Sequence, residues 1–142
     1  MTASLSKFAP LEPATRAAVG PAPGGVRVVL RLEDAAAFAA AVALYGYAGF
    51  SWPLFALLFL APDLAILAYL IGPRAGAFVY NLAHTYALAL PLALAGFYLG
   101  SAVAAALGLI WIAHIGFDRM LGYGLKYESG FGDTHLGRIG RG

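Results

Sequence analysis

From Ala35 to about Leu125 the chain is almost unbrokenly apolar, and this stretch limits the fold more than any other feature. Breaks at residues 49–53, 72–74 and 100–101 divide it into four runs, about 33–50, 52–71, 75–99 and 101–122. Each run is near the ~20 residues that cross a bilayer as a helix. Inside lipid only helices and closed barrels satisfy the backbone, and these runs do not alternate as barrel strands do. Composition points the same way. The chain is 61% hydrophobic and 11% charged, whereas a soluble domain is roughly 25% charged. Small soluble domains bury only about two-thirds of the surface that the unfolded chain exposes. Lipid must cover what a 142-residue core cannot. The expected fold is an all-α polytopic membrane protein, a bundle of four transmembrane helices.

The second run tests that reading, because Asp63 stands at its middle. A central Asp costs about 2.5–3.5 kcal/mol on insertion, and each Leu, Ile or Phe returns about 0.3–0.6 kcal/mol. Eleven such residues between Leu54 and Ile71 outweigh the acid.

Charge sets the orientation. Lys7, Arg16, Arg27 and Arg31 precede the first run, and Arg74 lies between the second and third. Arg119, Lys126, Arg138 and Arg141 lie at or beyond the end of the fourth, and the other two loops hold no Lys or Arg. The positive-inside rule therefore places both termini in the cytoplasm, with the bundle in the inner (plasma) membrane. Residues 1–31 are rich in Pro and Gly and lack the apolar core of a signal peptide. They read as a flexible cytoplasmic tail, with Arg27 and Arg31 near lipid phosphates. Residues 32–124 form the transmembrane domain and 125–142 a cytoplasmic C-terminal tail. A formal charge of +2 gives no argument for nucleic acid, so the expected partner is the lipid bilayer. The absence of cysteine excludes disulfides, thiolate metal sites and a Cys nucleophile.

Ionisable residues within a span are costly and mark function by default. At 1.5 Å rise per residue, Asp63, His84 and His114 each lie about 12–13 Å from the inner end of their run. Three helices thus offer Asp, His and His at one depth. A second tier lies nearer the cytoplasm: Asn81 at i−3 from His84, and Asp118 at i+4 from His114, each pair on one helix face. Neutral imidazoles and carboxylates suit Zn²⁺, Fe²⁺ or Mn²⁺, and helical bundles build such sites from inward side chains. The expected ligands are Asp63, His84, His114 and Asp118, with Asn81, Asp133 and His135 in support. Asp133 and His135 reach the site only if the C-terminal tail folds under the bundle. The plainer alternative is a set of Asp–His and Asn–His hydrogen bonds that tie helices together, at about 0.6 kcal/mol each. Pro62 is expected to kink the second helix just before Asp63, and Pro91 to act similarly on the third. Glu33 and Asp34 read as acids at the start of the first helix.

Four strings are distinctive: Ala61-Pro62-Asp63; Tyr80-Asn81-Leu82-Ala83-His84-Thr85-Tyr86; Ala113-His114-Ile115-Gly116-Phe117-Asp118-Arg119; and Gly130-Phe131-Gly132-Asp133-Thr134-His135-Leu136-Gly137. In this order they resemble a bacterial membrane family known as domain of unknown function 4260, over about residues 31–140. The resemblance implies a small integral membrane protein and supplies no activity or ligand. More loosely, the Pro-Asp and His–Asp elements are similar to those of membrane-bound metal-dependent hydrolases.

Four functions fit these residues, and the catalytic residues stay unassigned. The first is a metal centre with hydrolase-like chemistry. The second is a transporter or proton-coupled carrier using Asp63 and the histidines as a relay. Four helices make a thin wall for a pore, so that reading requires a homodimer. The third is bis-His haem binding by His84 and His114, and the fourth a purely structural membrane protein.

Overall fold

The computed structural model describes residues 23–139. Of the expected 1–31 tail, residues 1–22 lie outside the described residues, and Gly24 to Arg31 are helical rather than tail. Helix α1 runs Gly24–Tyr47, so the first helix begins well before the apolar run does. The N-terminal extension carries Arg27 and Arg31 on regular helix, closed by the Arg27 amide on the Pro23 carbonyl at 2.9 Å.

The second run is not one helix. Helix α2 spans only Trp52–Leu58, with the Ser51 hydroxyl accepting from the Leu54 amide. A 3₁₀ segment then runs Ala61–Leu70. Pro62 has no N–H to give the Leu58 carbonyl and its ring crowds that carbonyl, which favours ending the α-helix there. The chain turns at Phe59 and Leu60 and resumes with i→i+3 bonds, the first from the Asp63 amide to the Leu60 carbonyl at 3.1 Å. Ten residues of 3₁₀ helix is long, and such stretches mark functional or strained segments. With three residues per turn, Leu60, Asp63, Ile66 and Tyr69 fall on one stripe.

The third run is also divided. Helix α3 is Pro73–Ala83 and helix α4 is Tyr86–Tyr98, separated at His84 and Thr85. The interruption is at the histidine and not at Pro91, which α4 carries without breaking. Thr85 is extended and its hydroxyl accepts from the Ala87 amide, so it caps α4. Helix α5, Ala102–Leu121, is the one regular helix that fills its expected run. Three helical stretches, Trp52–Leu70, Pro73–Tyr98 and Ala102–Leu121, are long and apolar enough to cross a membrane.

Helix α5 is the hub, with α1 and α4 packed on it and the 3₁₀ segment packed on α3. Glycines permit the close approaches: a Cβ at Gly116 would strike the α1 backbone at Asp34 and Phe38, and one at Gly108 would strike Ala93. Gly108 is buried at this contact, whereas Ala36 and Ala40 of α1 face outward. Tyr47, Tyr98 and Trp52 are exposed, whereas Tyr45 is fully buried and donates its hydroxyl to the Ser51 carbonyl at 2.7 Å.

The C-terminal segment is a folded cap. Strands β1, Asp133–Thr134, and β2, Gly137–Arg138, form an antiparallel hairpin, and Lys126 bridges to Thr134. Asn81 holds this cap by a reciprocal pair: it accepts from the Lys126 amide at 2.6 Å and donates to the Lys126 carbonyl at 2.9 Å. Removing it leaves two backbone groups of a buried residue without partners, a loss of about 1–3 kcal/mol each. In Asn81→Ala, trypsin is expected to cut after Lys126 under conditions that leave the wild-type peptide bond intact. Equal resistance of the two proteins would show that Asn81 does not hold the cap.

Candidate metal centre

His84 lies where α3 ends, and its backbone (φ −112°, ψ 26°) turns the chain out of the helix. A broken helix inside a bundle leaves carbonyls that protein must satisfy, because lipid cannot. Two side chains of α5 do so: Trp111 Nε1 donates to the Ala83 carbonyl at 2.5 Å and Arg119 Nη2 to the His84 carbonyl at 3.0 Å. The Tyr80 carbonyl lies 2.9 Å from His84 Nδ1. A carbonyl can only accept, so Nδ1 carries the proton and Nε2 presents a lone pair. Tyr80 also stacks on the imidazole, ring centroids 3.7 Å apart and 7° from parallel. The ring is thus fixed in position and tautomer.

His84 Nε2 faces His114 Nε2 of α5 at 3.1 Å. Asp63 Oδ1 is 3.5 Å from the first and 3.6 Å from the second. Asp118 Oδ2 is 3.5 Å and 3.9 Å away from the same two nitrogens. All four ligand atoms lie within 4.8 Å of one another. A regular tetrahedron with bonds of 2.0–2.2 Å has edges of about 3.3–3.6 Å, so a small divalent ion fits between these atoms with little adjustment. Both imidazoles are buried, His84 at 2% and His114 at 0% exposure. Asp118 is nearly buried and accepts from the Tyr80 hydroxyl at 3.1 Å. Asp63 is the most accessible of the four, its side chain 35% exposed. It lies in the wall of a cavity of about 350 Å³, together with Asp118, Tyr80, Phe117 and Phe131. The 3₁₀ stripe explains this placement, since Leu60 and Ile66 line the same cavity.

Asp63, His84 and His114 converge, and Asp118 joins them at the same level rather than in a tier below. Asn81 does not reach the cluster, since both ends of its amide are engaged by Lys126. Asp133 bonds Ser129 at 2.8 Å and pairs with Arg138 at 3.6 Å, within the cap. His135 Nδ1 accepts from the Leu125 amide at 2.9 Å, also within the cap. Neither supports the site directly, because the hairpin turns both side chains to local partners. The haem reading also fails on geometry. Axial ligands must stand on opposite faces of a wide macrocycle, and here the two Nε2 atoms are 3.1 Å apart with carboxylates beside them.

A second buried network escaped the sequence reading. Asp34, expected at a helix start, is instead buried within α1. It accepts from the Tyr86 hydroxyl at 2.8 Å and lies 4.0 Å from Arg119 Nη1. Arg119 also lies over the Tyr86 ring, 4.8 Å from its centre. Through its bond to the His84 carbonyl, Arg119 links this network to the metal-ligand cluster. Beside the cluster, Lys126 Nζ sits among the rings of Phe131 at 4.1 Å and Tyr80 at 4.8 Å. Burial lowers its pKa to about 8, against the opposing pull of Asp118 and Asp63.

The family described as "Domain of unknown function (DUF4260)" matches residues 27–139, and the chain belongs to that family. No curated protein and no solved structure matches the chain.

Proposed function

We propose that this member of the family is a four-pass inner-membrane protein with both termini in the cytoplasm, carrying an intramembrane divalent-metal centre with hydrolase-like chemistry. The observation that carries the reading is the arrangement of His84 Nε2, His114 Nε2, Asp63 Oδ1 and Asp118 Oδ2, five of whose six separations are 3.1–3.9 Å. The membrane orientation is supported by how the charges segregate. The uncharged loops meet at one end, where Ala48, Phe50, Gly100 and Ser101 line one small cavity. At the other end Arg74 pairs with Glu128, and Arg31 bonds the Met120 carbonyl.

Zn²⁺, Fe²⁺ or Mn²⁺ suits the donor set, and such an ion, with a further position open to water, would lower that water's pKa enough to make it a nucleophile. The chain's own residues divide the remaining work. Tyr80 orients His84 through its carbonyl and Asp118 through its hydroxyl, the supporting contacts that metal ligands require. Asp63, the most exposed of the four, would hold the ion from the cavity side, where water enters. The aromatic walls of the cavity favour a membrane-borne substrate over a freely soluble one. The relay alternative needs polar access from both ends of the bundle. The Phe59 ring packs against the His114 imidazole, however, and the buried α5 residues before it, Leu109, Ile110, Ile112 and Ala113, are all apolar.

Elemental analysis of the protein purified in detergent tests the centre. About one Zn, Fe or Mn per chain is expected, with a lower unfolding temperature after chelation and recovery on adding the ion back. A protein that holds none of the three after reconstitution, and whose stability ignores the chelator, would remove the proposal. Chelator-sensitive hydrolysis of p-nitrophenyl esters or phosphoesters in mixed micelles tests the chemistry separately.

A further inference from the structure

Arg27 and Arg31, one turn apart on α1, and Arg138 on β2 converge on a cavity of about 250 Å³, the third brought in by the cap folding against the helix ends. Arg27 Nε is buried and, among the described residues, has no hydrogen-bond partner. Its guanidinium lies against Gly137, where a Cβ would stand 2.9 Å from Nη1. Gly137 also has φ +123°, a conformation that favours glycine, so the backbone there leaves room for the arginine. Arg31 donates Nε–H to the Met120 carbonyl at 2.6 Å. Arg138 has one counter-charge, Asp133 at 3.6 Å. Asp34, the nearby buried acid of α1, is engaged by Tyr86 and Arg119. Three guanidiniums thus face one carboxylate among the described residues that line or contact the cavity.

The surroundings identify the anion. An apolar groove of about 430 Å³ adjoins the cavity, lined by Val28, Leu32, Ala35 and Met120, with Arg31 and Leu121 common to both. A cationic pocket joined to an apolar groove, at the point where α1 meets its apolar run, matches a phosphate attached to an acyl chain. We infer that Arg27, Arg31 and Arg138 bind the phosphate of an anionic phospholipid whose acyl chain lies along the adjoining α1–α5 groove. Arginine is suited to this because its planar fork donates two parallel bonds to a phosphate. The inference rests on the membrane reading and is independent of the metal centre.

The test is native mass spectrometry of the full chain released from detergent, titrated with phosphatidylglycerol and with phosphatidylcholine of the same acyl chains. Inorganic phosphate is added in a parallel thermal-unfolding series. Wild type is expected to retain phosphatidylglycerol preferentially. Each basic side chain near a membrane surface contributes about five-fold to anionic-lipid binding, so Arg27→Gln with Arg138→Gln should weaken it by about 25-fold. Phosphatidylcholine retention and metal content should not change. Arg74→Gln, which removes a basic residue outside the cavity, should behave as wild type. If the glutamine variant does not fold, Arg27→Lys with Arg138→Lys replaces it, and an intermediate preference is expected because lysine keeps the charge and loses the fork. A phosphate-induced rise in unfolding temperature without lipid preference would identify a soluble phosphate and overturn the lipid assignment. Equal retention of the two lipids with no response to phosphate would overturn the site entirely, as would an Arg74→Gln effect as large as that of the cavity variants.

Discussion

Replacing His114 with alanine is expected to weaken divalent-metal binding by more than about 100-fold, since even supporting contacts around a metal are worth about 10–100-fold. The expectation follows from geometry: His114 Nε2 is a common vertex of the tetrahedron, 3.1 Å from His84 Nε2 and 3.6 Å from Asp63 Oδ1. Tyr80→Phe gives the graded companion. It keeps the ring stacked on His84 and removes only the hydroxyl that bonds Asp118 at 3.1 Å. Its affinity should fall by about 10–100-fold. Titration of the apoprotein with Zn²⁺ against a competing chelator measures both. A purely structural histidine pair predicts a different pattern: His114→Ala would destabilise the fold, and Tyr80→Phe would leave metal content at the wild-type level. That outcome would return the cluster to a helix-tying role.

The second large effect is expected at Arg119. Its guanidinium lies 4.0 Å from buried Asp34 and donates to the His84 carbonyl at 3.0 Å. Arg119→Ala leaves a carboxylate and a carbonyl in the protein interior without that partner. Removing one member of a buried ion pair costs about 3–5 kcal/mol, because the remaining charge keeps its desolvation cost. Unfolding by SDS in mixed micelles should show this loss. Adding Asp34→Asn should recover part of it, since the amide keeps an acceptor for Tyr86 and carries no charge. A double variant no more stable than Arg119→Ala would show that Arg119 acts through His84 and not through Asp34. Metal affinity should fall only modestly in either variant, because neither residue offers a ligand atom to the centre.

Much of the candidate site was legible in the sequence for a simple reason. A buried ionisable group is costly in lipid, so Asp63, His84 and His114 stood out against apolar neighbours without any knowledge of packing. Their common depth followed from helix rise alone, and the structure brings their ligand atoms within 4.8 Å. Depth arithmetic was less reliable for Asp118. It assumed continuous helices, whereas α3 ends at His84, whose Nε2 lies 3.5 Å from Asp118 Oδ2. The breaks in the second and third runs were invisible to hydropathy, which is the same for α-helix, 3₁₀ helix and turn. Only Pro62 hinted at one of them. The Asp34–Tyr86–Arg119 network had no local signal, because its members are separated by 52 and 33 residues.

The amino-acid pattern alone determined that this chain is helical and apolar, where the loops between its four apolar runs fall, and which few polar side chains are costly enough to require a purpose. Those properties are set by transfer free energy and by backbone hydrogen bonding, and both act residue by residue. Tertiary structure decided the rest. It showed that His84 ends a helix and that the 3₁₀ stripe turns Asp63 to a cavity wall. It also showed that the C-terminal segment folds as a cap with Asn81 as its anchor, and that Arg138 joins Arg27 and Arg31 in one pocket. These are relations between segments far apart in the chain, and they arise only when packing brings those segments into contact.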